Sequence, residues 1–197
     1  VIVGFTQCYA GAAAALRGET TSLTSLDGAF VDEGEFTARY RAMPMVLGLW
    51  QGARVPLLGL AGCWQEVLDA ADSDELAASP PFIPHRAIRF WRGVACAGLA
   101  TLPGRPAQYR TELAHAIEEM NTFLAAAEEN VAHYACFLRG EAARVDGQAH
   151  AATQAYREAV TALGYVRQDM STLKKQKQEA PDFSHSVPEV YIEKPAK

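Results

Sequence analysis

The 197-residue chain is 49% hydrophobic and 21% charged, with a formal net charge of -5, which is enough apolar material for one ordinary domain with a real core. Phosphate binding needs a dense Lys/Arg face, and the only concentrated basic run is Lys174, Lys175 and Lys177, so nucleic acid is not the expected partner. A membrane is not expected either, because no uninterrupted apolar stretch reaches the ~18 residues of a span.

The first predicted helix covers residues 1–17, is Ala-rich and stops at Gly18, glycine being favoured in the left-handed conformation that closes a helix. Its opening, Val1 to Phe5, has neither an initiator Met nor the basic start of a signal peptide. It reads as a helix continuing from a missing N-terminal part. A loop rich in Thr, Ser, Asp and Gly fills 18–33, and Asp32-Glu-Gly-Glu has the form of a capping box, with the Asp32 oxygen accepting from the next first turn. A helix over 35–51 follows, which Pro44 is expected to kink or break. Pro56 and Gly59 punctuate the next stretch, a helix covers 61–71, and a polar, Pro-rich connection covers 72–84.

A helix over 85–101 is ended by Pro103-Gly-Arg-Pro. In the next, over 107–128, Tyr109, Leu113, Ile117, Met120 and Leu124 form one apolar stripe, with Arg110, Glu112, Glu118 and Glu119 on the other face. Asn130 is predicted to cap a helix over 131–145, with Val131, Tyr134, Leu138 and Ala142 inward. Gly147 marks a turn into 148–164, where Ala152, Tyr156, Ala159, Val160 and Leu163 are placed inward. The Lys/Gln-rich run after it extends or frays that helix, and Pro181, Pro188 and Pro195 break up residues 179–197, an expected disordered tail. No segment alternates like a strand. The fold class is all-α.

Residues 133–163 fit the tetratricopeptide (TPR) pattern: Gly140 late in one helix, Gly147 at the turn, then Ala152, Tyr156 and Ala159 as a small–large–small ridge. Residues 48–71 fit less well, with Gly52, Gly59, Leu68 and Ala71 in register but Trp64 where a small residue belongs. The expected architecture is a TPR-like helical-repeat array, an α-solenoid of antiparallel helix pairs, over 18–178.

A family resemblance accompanies this pattern. Leu16-Arg-Gly-Glu-Thr-Thr with Ser25-Leu-Asp-Gly-Ala-Phe-Val-Asp-Glu resembles a turn in the long helical region of multi-sensor signalling kinases. Arg89-Phe-Trp-Arg-Gly-Val-Ala-Cys-Ala resembles an aromatic, small-residue helix of that region. Glu129-Asn-Val-Ala-His-Tyr, Arg139-Gly-Glu-Ala-Ala-Arg-Val-Asp-Gly and Ala155-Tyr-Arg-Glu-Ala-Val are similar to its most recognisable stretch. The match runs in order over about residues 10–164 and departs after Gly164, where further repeats would stand. The resemblance implies a hybrid histidine or serine-threonine kinase parent, with an AAA-type ATPase module before this region and GAF and kinase modules after it. It implies no active site in this chain.

Direct motif reading agrees that no catalytic centre is expected. Phosphate-loop, kinase and nucleophile-elbow signatures do not occur. Cys8, Cys63, Cys96 and Cys136 have no ligand or CxxC spacing and read as buried small hydrophobes in a reducing, cytoplasmic setting, rather than a disulfide or metal site. Glu112 and His115 make a single Glu-x-x-His, whereas carboxylate-bridged metal bundles use two. Glu129 and His133 read as a surface helix pair. Arg86, Arg89 and Arg92 form a stripe that either docks an acidic partner or compensates glutamates on a neighbouring helix. Trp50, Trp64 and Trp91 either line a ligand groove or fill the core.

The expected function is a non-catalytic scaffold needing no cofactor. Its partners are proteins: the flanking modules, a peptide or helix ligand, or another copy through uncapped repeat ends. A free-standing TPR-like adaptor and a helical metalloprotein on Glu112 and His115 are the rival readings.

Overall fold

A computed structural model describes residues 2–77, 83–104, 107–126 and 128–179. Among them the chain is all-helical: α1 (Ile2–Leu16), α2 (Glu33–Tyr40), α3 (Pro44–Leu60), α4 (Trp64–Ala71), α5 (Asp74–Ala77), α6 (Ile83–Ala100), α7 (Gln108–Ala126), α8 (Glu128–Val145) and α9 (Ala149–Glu179). The expected tail over 180–197 lies outside the described residues.

Local signals explain most boundaries. Asp32 caps α2, its Oδ1 accepting from the Glu35 amide at 2.8 Å. Gly18, Gly62, Gly104 and Gly147 have φ of 72, 74, 73 and 73° and follow α1, α3, α6 and α8. After α1, α3 and α8 the closure is the same: the amide following the glycine reaches back to Ala14, Leu58 or Ala143 at 2.8–3.0 Å. These four turns recur at intervals of 44, 42 and 43 residues.

Several expectations are corrected. Pro44 does not kink one helix; it starts α3, at a first-turn position where its missing N–H costs nothing. Pro56 and Gly59 lie inside α3 rather than ending it. Eleven of the helix's seventeen residues are buried, and that packing outweighs the proline's local penalty of about 3 kcal/mol. The turn glycine is Gly62, so the repeat register set on Gly52 and Gly59 is three residues out. Asn130 sits in the first turn of α8 and is not its cap. Val160 and Leu163 are exposed, not inward; the buried stripe of α9 is Ala152, Ala155 and Ala159.

Packing follows a regular scheme. The long helices α1, α3, α6 and α8 each touch the next one in that series, while α2, α4 and α7 each pack on the long helix that follows them. Trp64 meets Gly98 and Asp72 meets Arg92, so α4 and α6 run antiparallel. Phe90 stacks on Tyr134 and Gly93 meets Leu138, so α6 and α8 run parallel. Three apolar clusters result, one from α1 to α3, one from α3 to α6 and one from α6 to α8, with α3 and α6 each contributing to two.

Helical glycines make these approaches close. A Cβ on Gly59 would lie 2.1 Å from the Trp91 ring, on Gly98 2.6 Å from Trp64, and on Gly93 2.9 Å from Leu138. Trp64 and Trp91 are thus packing residues seated on glycine.

Buried acids make the fold alkali-sensitive. Burial pushes the Cys8 thiol up to about 12 and Cys96 to about 11, and burial with the Glu141 carboxylate pushes Tyr156 to about 12. Each group keeps its proton longer when folded, so its contribution is full below the ordinary pKa of 9 or 10 and is lost as pH rises towards 12. The melting temperature is expected to be flat from neutral pH to about 9 and then to fall, with a shallower fall in Cys8→Ala. Circular-dichroism melts across pH check this; an unchanged melting temperature through that window contradicts it.

Candidate functional site

The arginine stripe of α6 is occupied by its own chain. Arg92 donates to Asp72 at 3.0 Å and to Glu112 at 2.9 Å, Arg89 is 3.5 Å from Glu119, and Arg86 lies over the Phe123 ring at 5.5 Å. Burial works against the Arg92 charge, but the hydrogen bonds it donates to the two carboxylates outweigh it and raise its pKa. Two of the three arginines thus pair with acids, Arg89 with Glu119 and Arg92 with Glu112 and Asp72. Arg89 keeps about a third of its side chain exposed.

Glu112 and His115 do not converge: Glu112 faces Arg92, while His115 is exposed, 3.7 Å from Glu118. Among the described residues no three His, Cys, Asp or Glu side chains gather as metal ligands. The His133 ring lies 4.0 Å from that of Tyr134, tilted by 46°, and burial lowers its pKa.

The repeat residues of α8 and α9 form one contact. A Cβ on Gly140 would lie 2.6 Å from Tyr156, whose hydroxyl donates to Glu141 Oε1 at 2.6 Å. Arg144 holds the other oxygen of Glu141, a carboxylate only 8% exposed. Ala152 and Ala159 are buried beside them, and Gly147 makes the turn. Sequence reasoning placed the glycines, alanines and tyrosine but missed Glu141, since a Glu in a charged helical run looks like a surface residue. Tyr156→Phe leaves one buried oxygen without its donor and is expected to cost about 1 kcal/mol, modest because Tyr156 is half-buried. Chemical denaturation measures it; no loss means that the bond carries no stability.

A third arrangement runs along α3. The eight-residue helices α2 and α4 flank the seventeen-residue α3, and a trough with two cavities lies along it. One, of about 420 Å³, lies against α2 and is lined by Thr37, Arg41, Leu47 and Trp50; the other, of about 300 Å³, lies against α4 and is lined by Arg54, Glu66, Asp69 and Ser73. Gln51 lines both. Trp50 Nε1, Gln51 Oε1 and Arg54 Nε are buried and hydrogen-bond to no other protein group. Sequence reasoning singled out Trp50 but not Gln51 or Arg54, because i, i+1 and i+4 spacing alone carries no chemistry.

Both ends of the helix series expose large apolar side chains. The uncharged α1 exposes Phe5, Tyr9 and Leu16 at 47, 40 and 60%, and α9 exposes Val160 and Leu163 at 71 and 47%. No helix among the described residues is long and apolar enough to cross a membrane. No protein-family model, curated protein or solved structure matches the chain.

Proposed function

We propose that the chain is a non-catalytic scaffold built as a TPR-like array of antiparallel helix pairs. The observation that carries this reading is the recurrence of a long helix, a left-handed glycine and a following helix at intervals of 42 to 44 residues. TPR units have about 34 residues and other helical-repeat units about 40–47, so the spacing supports a helical-repeat array with units longer than the TPR's. Each unit contacts its neighbours, and the core passes from one to the next through α3 and α6.

The resemblance of residues 10–164 to the helical region of multi-sensor kinases supports a role inside such a protein in the cytoplasm. There the array would hold an ATPase module and sensor and kinase modules at a set geometry. The coding sequence on either side tests that placement. Open frames for ATPase-type and GAF or histidine-kinase modules are expected; a start and a stop codon bounding the chain make it a free-standing adaptor.

The exposed apolar side chains of α1, with Val160 and Leu163 of α9, are where further units or a second copy would stack. The isolated chain is expected to associate as concentration rises, and Phe5→Glu with Leu16→Glu to restore the monomer without lowering helicity. Sedimentation over a concentration series decides; a wild-type chain that stays monomeric throughout removes the end-face reading.

A further inference from the structure

We propose that the trough on α3 is a peptide-binding site, and that its occupant is an extended segment of a partner protein carrying an apolar residue next to a Lys or Arg. The inference rests on the scaffold reading only in taking the ligand to be a protein.

Three features of the trough lead there. The first is unspent hydrogen bonding on its floor. Gln51 is 6% exposed, and its Oε1 has no protein donor; Trp50 Nε1 and Arg54 Nε, within one turn of it, have no protein acceptor. Buried polar groups are almost always paired, and one left unpaired costs stability. Gln51 lines both cavities, and what its unpaired oxygen lacks is a donor such as the N–H of an extended backbone.

The second feature is the difference between the two cavities. The cavity against α2 offers Leu47, Ala38 and the Trp50 ring, an apolar seat with a single cation, Arg41, at its edge. The cavity against α4 presents two carboxylates, Glu66 and Asp69. Arg54 is 4.0 Å from Glu66, outside hydrogen-bond distance, with its guanidinium over Trp50 at 5.4 Å, and Asp69 accepts from Gln65 Nε2 at 3.1 Å through one oxygen. Glu66 is 57% exposed and can take a further ammonium or guanidinium. Gln51 belongs to both cavities, so neighbouring side chains of one ligand can enter one each.

The third is how the trough is walled. Both cavities are walled by α3, one together with α2 and the other with α4. A cavity of about 260 Å³ among α4, α6 and α7 differs in that its cation, Arg92, is already bonded to Asp72 and Glu112.

The test uses the full chain and a fluorescein-labelled peptide, Gly-Ser-Ser-Leu-Lys-Ser-Ser-Gly, with its Lys-Leu reversal and with Leu-Glu and Ser-Lys controls. Anisotropy is expected to show saturable binding of a Leu-Lys or Lys-Leu peptide and about ten-fold weaker binding of both controls. Glu66→Gln with Asp69→Asn removes the preference for Lys over Glu. Gln51→Met gives the sharpest reading, because a purely structural glutamine and a ligand-binding one predict opposite signs. Removing an unpaired buried oxygen raises the melting temperature of the free protein by about 2–4 °C, while peptide binding weakens by about ten-fold. A Gln51→Met variant that melts lower than wild type, or that binds as well, overturns the proposal. So does equal affinity for all four peptides. If Trp50→Phe and Gln51→Met abolish self-association and no peptide binds, the occupant is a second copy and the peptide reading falls. Retained helicity and an unchanged elution volume show that the array is intact, so a failed peptide titration counts against the site and not against the scaffold.

Discussion

Gly59→Ala is expected to destabilise the chain by about 2 kcal/mol, although alanine is the better helix former by about 1 kcal/mol. The reason is the position of the Trp91 ring, three atoms of which lie 2.1, 2.5 and 2.9 Å from where the new methyl would sit. No rotation of a flexible tip relieves that overlap. Either the indole leaves its seat or α3 and α6 move apart, and both loosen Trp91 against the two core clusters it packs on. In a chain of this size the change lowers the melting temperature by about 4–8 °C. Gly164→Ala supplies the control, since a methyl there meets nothing within 4 Å in the middle of α9. That variant gains the helix propensity and is expected to be more stable. Equal responses of the two variants would mean that Trp91 does not seat on Gly59 in solution.

The same residues show what was legible before the structure. Signals that act within a few residues were readable: Gly18 and Gly147 as helix stops, Asp32 as a cap, and the stripe of Leu113, Ile117 and Met120. Each depends on local backbone geometry or on helical period, and neither needs a partner element. Gly59 was misread as a turn because its role is set by Trp91, thirty-two residues further on in a different helix. Pro56 was misread because burial along α3 outweighs a local penalty. Val160 and Leu163 were placed inward because an apolar residue has no sequence mark telling a filled face from an open one. The site shows the same division. The arginine stripe was visible, but its acidic partners on α4 and α7 were not assigned to it. The unpaired atoms of Gln51 and Arg54 leave no mark in the sequence, because pairing depends on which side chains α2 and α4 bring beside them.

Leu138→Ala is expected to have the larger effect, costing about 2–5 kcal/mol, because the side chain is wholly buried where α6, α7 and α8 meet. Its two methyls lie 2.9 and 3.0 Å from the point where a Cβ on Gly93 would stand, with the Ala116 methyl also at 3.0 Å. Gly93→Ala alone therefore overfills the junction and is expected to cost about 1–3 kcal/mol. Combined, the two changes should offset each other in part, since the methyl added to α6 enters the space vacated on α8. The coupling measured in a double-mutant cycle should favour the pair by at least about 1 kcal/mol. The sign matters more than its size. Simple additivity would place Gly93 and Leu138 out of contact, and with them the parallel packing of α6 on α8 from which the repeated architecture is read.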